Sequence, residues 1–186
     1  MSLLLFIFYW IGIPAFVIWL TRVFWHKSKT TVTRALTMIS GIAVFLGFLW
    51  LAVGQKWMLD RQVRELCEKD GGVRVYETVK LPAEKFNKYG QVNFYRPIDG
   101  ENALGPEYVW KWNLRYYRKG NPSFYRSHIQ IYRKSDGKLL GESVSYKRGG
   151  GDLPGPWHGS SFMCPELSVK NDVLRQIFIM KLRSSK

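Results

Sequence analysis

The chain has 186 residues, with 28 Lys or Arg against 14 Asp or Glu and a formal net charge of +14. Hydrophobic residues make up 46%, too many for a solvated, disordered polycation. Two cysteines, Cys67 and Cys164, are too few for a disulfide-dense secreted scaffold.

The first element is a charge-free run from Met1 to Thr21, and a second extends from Ala35 to Gln55. Each matches the ~20 apolar residues that a helix needs to cross a bilayer. Charged side chains cost about 2.5–3.5 kcal/mol each at mid-membrane, which explains why both runs lack them. Residues 1–21 and 35–55 are therefore read as transmembrane helices 1 and 2. Pro14 predicts a kink in the first. Ala43 and Gly47, four apart, predict a close helix–helix approach in the second. Trp19, Trp25, Trp50 and Trp57 fall near the expected membrane boundaries, where amphipathic rings prefer to sit. The first run lacks the basic start of a secretory signal and exceeds its apolar core of roughly 7–15 residues, so an uncleaved anchor is expected.

The link 22–34 carries Arg22, Lys27, Lys29 and Arg34 and no acid. Short basic loops are retained in the cytoplasm, which predicts a multi-pass protein of the cytoplasmic (inner) membrane with both termini outside. Lys56, Arg61 and Arg64 beyond the second run oppose this reading, being basic themselves.

Residues 56–72 read as a juxtamembrane helix, with Leu59, Val63, Leu66 and Cys67 on one side and Gly71-Gly72 as its stop. The period then changes to two. Val73 to Leu81 alternates as one strand, and Gln91 to Arg96 is a shorter candidate. Tyr108 to Tyr117 is the clearest strand: Tyr108, Trp110, Trp112, Leu114 and Tyr116 point one way, Lys111, Asn113 and Arg115 the other. Phe124–Arg133 and Leu139–Tyr146 flank Asp136-Gly137, a hairpin signal. Residues 149–156 are a Gly- and Pro-rich loop. In the tail, Asn171–Arg175 suits a short helix and Ile177–Met180 a buried strand. The expected fold is α+β: a two-helix N-terminal transmembrane hairpin, then a single, mainly antiparallel-β extracytoplasmic domain over 73–186 with about five or six strands.

Residues 55–186 carry a net +10, which favours anionic neighbours such as lipid headgroups or envelope polymers. Residues 108–148 hold ten basic side chains against Asp136 and Glu142, with nine aromatic rings among them. Basic residues contact anions and aromatics stack on bases or sugars, so one such face could hold a polyanion or glycan. Alternation favours instead that Trp110, Trp112 and Tyr116 are core and that only the basic face is exposed. Lys111, Arg115, Arg133 and Lys138 are the candidate ligand-binding residues on that face. Lys147, Arg148, Gly149, Gly150 and His158 form a second candidate, since a glycine-rich loop beside basic residues can converge N–H groups on an anion. That loop lacks the Gly-Lys-Ser/Thr of a nucleotide-binding P-loop.

Cys67 and Cys164 are expected to pair if the domain lies outside the cytoplasm. The cysteines have no histidine at ligand spacing, so no metal site is expected, and no cofactor is implied. His158 near Asp152, Ser160 and Ser161 invites a hydrolase reading. No nucleophile elbow accompanies it, so a non-enzymatic role is favoured. The functional expectation is an integral membrane protein presenting a basic binding domain to an anionic envelope component or a membrane protein partner. The alternative is a cytoplasmic domain that binds nucleic acid or anionic lipid, which predicts free thiols and steep salt dependence.

Overall fold

The computed structural model describes residues 4, 7–152 and 159–181 of the chain. A wide turn over Phe8–Gly12 leads into α1 (Ile13–Lys27), so Pro14 sits in the first turn of the regular helix. Such a widened turn is one local adjustment that accommodates a missing backbone donor. A Thr30–Thr33 capping box starts α2 (Thr31–Leu49). Phe8–Lys27 and Thr31–Leu49 are both apolar and long enough to cross a membrane.

The two helices pack together, but not through Gly47, which meets nothing within 4 Å. The close approach is at Gly41, where an added methyl would lie 2.5 Å from Thr21 Oγ1. The expected small-residue pair thus yields to a glycine six residues earlier, because the helix crossing is set by which row meets Thr21.

A second wide turn, Trp50–Gly54, joins α2 to α3 (Gln55–Asp70) with helical backbone at both junctions. The rod therefore runs unbroken from Thr31 to Asp70, on the order of 60 Å at 1.5 Å per residue. Leu59, Val63 and Cys67, spaced four apart, are the buried stripe of α3. Gly72, at a φ of +119°, turns the chain out of the helix into β1 (Gly72–Val75).

Where one strand is expected over 73–81, there are two. Tyr76 and Glu77 both donate backbone N–H groups to the Leu140 carbonyl, and β2 (Val79–Leu81) then departs to a different sheet. The Gln91–Arg96 candidate is not a strand: Val92 makes one bridge to Phe86, and Pro97–Asn102 follows as a tight helical turn. Next come β3 (Tyr108–Arg118), β4 (Ser123–Arg133), β5 (Leu139–Gly149) and β6 (Ser161–Cys164). A short helix, α4 (Val173–Ile177), leads directly into β7 (Phe178–Met180).

The main sheet is antiparallel, in the order β1-β5-β4-β3, and β6 shares the outer edge of β5 with β1. β2 and β7 form a separate parallel pair. The fold is α+β, with two apolar N-terminal helices and an antiparallel-β domain. Two cores result. One gathers Leu104, Tyr108, Ile131, Leu140, Ile177 and Phe178 at the end of the sheet remote from α2. The other presses Leu59, Val63 and Cys67 of α3 onto Phe124, Val144 and Tyr146. Gly141 is required where β5 passes under α4, since a Cβ there would lie 2.8 Å from Ile177 Cδ1 and 2.9 Å from the Arg74 carbonyl.

Candidate functional site

Strand register assigns the side chains to faces. Trp110, Trp112, Leu114 and Tyr116 of β3 align with Ile131, Ile129, Ser127 and Tyr125 of β4. On β5 the same face continues through Gly141, Ser143, Ser145 and Lys147. The opposite face carries Phe124, Val144, Tyr146 and Arg148, and it is covered by α3.

The helix-covered face is closed by ion pairs as well as by apolar contact. Arg148 is only 3% exposed; its Nε donates to Asp60 Oδ1 at 2.5 Å, and Nη1 donates to the Gly150 carbonyl and to Ser160 Oγ at 3.1 Å. Lys56 Nζ reaches Asp152 Oδ1 at 2.6 Å. Asp70 accepts from Tyr146 at 2.6 Å and from Arg126 at 3.1 Å. Burial pushes the Asp70 carboxyl up, but the Tyr146 hydroxyl and the Arg126 guanidinium outweigh it and hold it below its ordinary value. The same burial and its own hydrogen bond to Asp70 push the Tyr146 phenol up. Asp152 is likewise held low by Lys56 and Ser160 against its burial. Cys67 and Cys164 form a disulfide with Cα atoms 5.9 Å apart, fastening α3 to β6.

A polar cluster joins β1, β4 and β5. Glu142 accepts from Tyr76 at 2.7 Å and from Arg74 at 3.4 Å, and it pairs with His128 Nε2 at 2.7 Å. Burial raises its carboxyl, and these three partners lower it further than that. With both oxygens engaged, Glu142 works as a staple between strands. Among the described residues no group of His, Cys, Asp and Glu side chains is arranged to hold a metal ion.

The four residues predicted to form one basic face do not gather. Lys111 and Arg115 lie on the face opposite Trp110, and each stacks over an aromatic ring, Tyr132 at 5.1 Å and Tyr117 at 5.5 Å. Arg133 falls on the Trp110 side by register, pairs with Glu77 and reaches Asp136 at 2.9 Å. Lys138 joins the same Glu77 at 2.6 Å. Together Lys138 and Arg133 hold the Glu77 carboxyl low. In the second candidate, Arg148 is enclosed as described, Lys147 is half-buried, and Gly149 and Gly150 turn toward Ser123, Asn121 and the Ser160 carbonyl. His158 lies outside the described residues.

The open face departs from expectation in its aromatic rings. Trp110 is half-buried, but Trp112 is 63% exposed and Tyr116 is 45% exposed. The reason is that the packing of α4 and β7 on this face reaches Tyr108 and Trp110 but not Trp112 or Tyr116, and β3 is the free edge of the sheet. Trp112 Nε1 donates to Ser127 Oγ at 2.8 Å, which lays the indole across the sheet surface. Beside this shelf lies a groove of about 960 Å³, floored by Trp110, Ile129, Ser143 and Ser145. Its walls bring Tyr95, Asn93, Met163, Pro165 and the Asp172–Arg175 ion pair, 3.4 Å apart. Leu167, 91% exposed, stands on the rim.

Such a surface offers ring faces for stacking and hydroxyl and amide groups for hydrogen bonding, with few net charges. Sequence reading raised such a ring-bearing face but favoured assigning the β3 rings to the core. The alternation Ser143-Val144-Ser145-Tyr146 carried the signal, because Ser143 and Ser145 share a face with Trp112 and mark it as the solvated one. Comparison of the chain with protein-family models, with curated proteins and with solved structures gives no match in any of the three.

Proposed function

We propose that this chain is an integral membrane protein that presents a binding domain outside the cytoplasmic membrane and holds an extended, hydroxyl-rich envelope glycan along the open face of its sheet. The observation that carries the ligand reading is the exposed Trp112 beside a serine- and asparagine-lined groove. Sugars present apolar C–H faces that stack on rings, and hydroxyls that serine and asparagine can bond. The domain's net positive charge favours an anionic polymer by long-range attraction. The outside location is supported by the basic link 22–34, which the cytoplasm retains, and by the Cys67–Cys164 disulfide, which an oxidising compartment preserves.

The test uses the full chain in nanodiscs, titrated with soluble envelope-glycan fragments and followed by calorimetry. Trp112→Ala is expected to weaken binding roughly tenfold, the equivalent of ~1.4 kcal/mol from one lost ring contact. Wild-type affinity in that variant would remove the shelf from the site, and no binding by the native chain would overturn the glycan reading. Location is read by impermeant maleimide on intact cells, where labelling only after reduction is expected. Thiols reachable only after lysis would turn the search to nucleic acid and inner-leaflet lipid.

A second reading is favoured by one observation. The outer edge of β3 pairs with no strand among the described residues, and eleven residues of edge can accept an added strand from a membrane protein partner. Crosslinking from β3 into a second protein, with no glycan bound, would select it.

A further inference from the structure

The polar ends of two loops meet the rod at one level. The charge-free run Ala35–Gln55 is about 31 Å long as a helix, the thickness of a hydrocarbon core, so Gln55 and Lys56 fall where the headgroups begin. Arg118 Nη2 donates to Gln55 Oε1 at 3.3 Å, and Lys56 pairs with Asp152 at 2.6 Å. The Gly151 amide is bonded to Asn121 Oδ1 at 2.6 Å, which ties the β3–β4 turn to the same place. The tip of that hairpin is therefore held beside the first headgroup-level turn of the rod. No Asp or Glu occurs from Tyr108 to Ser135. Arg115, Tyr116, Arg118 and Lys119 are all exposed there, and Trp57 is exposed on the adjoining turn of α3. Basic residues mixed with Tyr and Trp are the composition that headgroup layers select.

We propose that the β3–β4 hairpin tip is a docking surface for anionic lipid headgroups, which fixes the sheet at one angle to the membrane. The occupant is the lipid surface of the membrane that holds the anchor. Charge complementarity to phosphate and the level imposed by Gln55 and Lys56 both point to it. The proposal rests on the anchor reading and on neither ligand reading.

The experiment measures amide hydrogen exchange of the full chain in phosphatidylcholine nanodiscs with and without phosphatidylglycerol. Exchange across residues 115–121 is expected to slow about fivefold in the anionic discs, the effect of one basic residue near such a surface. Arg118→Gln with Lys119→Gln is expected to abolish that difference, with exchange at Ile131 and Val144 unchanged as proof of fold. Lys134→Gln, at the remote end of β4, is expected to leave the difference intact. Equal exchange in the two lipids would overturn the proposal. Equal protection by inorganic phosphate in neutral discs would also overturn it, in favour of a free-anion site. Failure of the chain to stay with the disc would reject the anchor itself, a separate readout from lipid dependence.

Discussion

On one face of the sheet, α3 lays Leu59, Val63 and Cys67 against Val144 and Tyr146, and Lys56, Arg126 and Arg148 pair with Asp152, Asp70 and Asp60 along the seam. On the other face, Trp112 and Tyr116 stand in solvent beside a groove, although the same strands supply both surfaces. The difference lies in what each face has to cover it. A helix continuous with α2 brings a long apolar stripe to β5 and β6, whereas α4 and β7 are short and reach only the remote half. The closed face packs the sheet against α3, the helix that continues α2. The open face leaves Trp112 and Tyr116 uncovered.

This contrast can be broken at its strongest point first. The disulfide closes a loop of 97 residues, so the Cys67→Ser/Cys164→Ser chain is expected to lose at most ~4–5 kcal/mol. Thermal unfolding in detergent, followed by near-ultraviolet circular dichroism, measures it. A loss confined to below 1 kcal/mol would mean that α3 holds to the sheet without the bridge.

Asp60→Ala comes next. It leaves the Arg148 guanidinium enclosed at 3% exposure without its carboxylate, and about 3 kcal/mol of destabilisation is expected in the same assay. Converting Arg148 to Met in the Asp60→Ala background should restore part of the loss, because the unpaired charge is then gone.

Acid supplies a graded test. Asp70, Asp152 and Glu142 are each held below their ordinary values in the fold, so they contribute stability that is fully present above the unfolded values of 3.8 and 4.5. That contribution is lost as pH falls through the lowered folded values. Unfolding midpoints measured against pH should stay level near neutrality and decline below those values. Asp70→Asn should flatten the decline.

The smallest stability effect belongs to the open face. Trp112→Ala removes an exposed ring and is expected to change stability by no more than about 0.5 kcal/mol, while reducing glycan affinity as above. A large loss of stability would show that the indole is structural after all, through its bond to Ser127.

Much of the domain was legible in the residues. Two charge-free runs, the α3 stripe, the β4–β5 hairpin at Asp136-Gly137 and the Asn171–Met180 helix-to-strand change follow from periodicity and turn chemistry, which are local. Two readings failed because they depended on partners distant in sequence. The 73–81 strand divides because Leu140 draws Tyr76 and Glu77 to β5 while β7 draws residues 79–81 elsewhere. Trp112 is exposed because its strand ends the sheet, and alternation reports that rings share a side without reporting which side is covered.

The sequence by itself determined the two apolar N-terminal helices, the basic balance and the strand-forming segments, since composition and side-chain period act within a few residues. Only the tertiary structure decided that Arg148 is enclosed, that Lys111 and Arg115 are separated from Arg133 and Lys138, and that the serine and tryptophan rows form one open surface. Those outcomes depend on strand order and on where α3 stops, and the energies that set them belong to contacts between residues from about fifty to nearly a hundred positions apart.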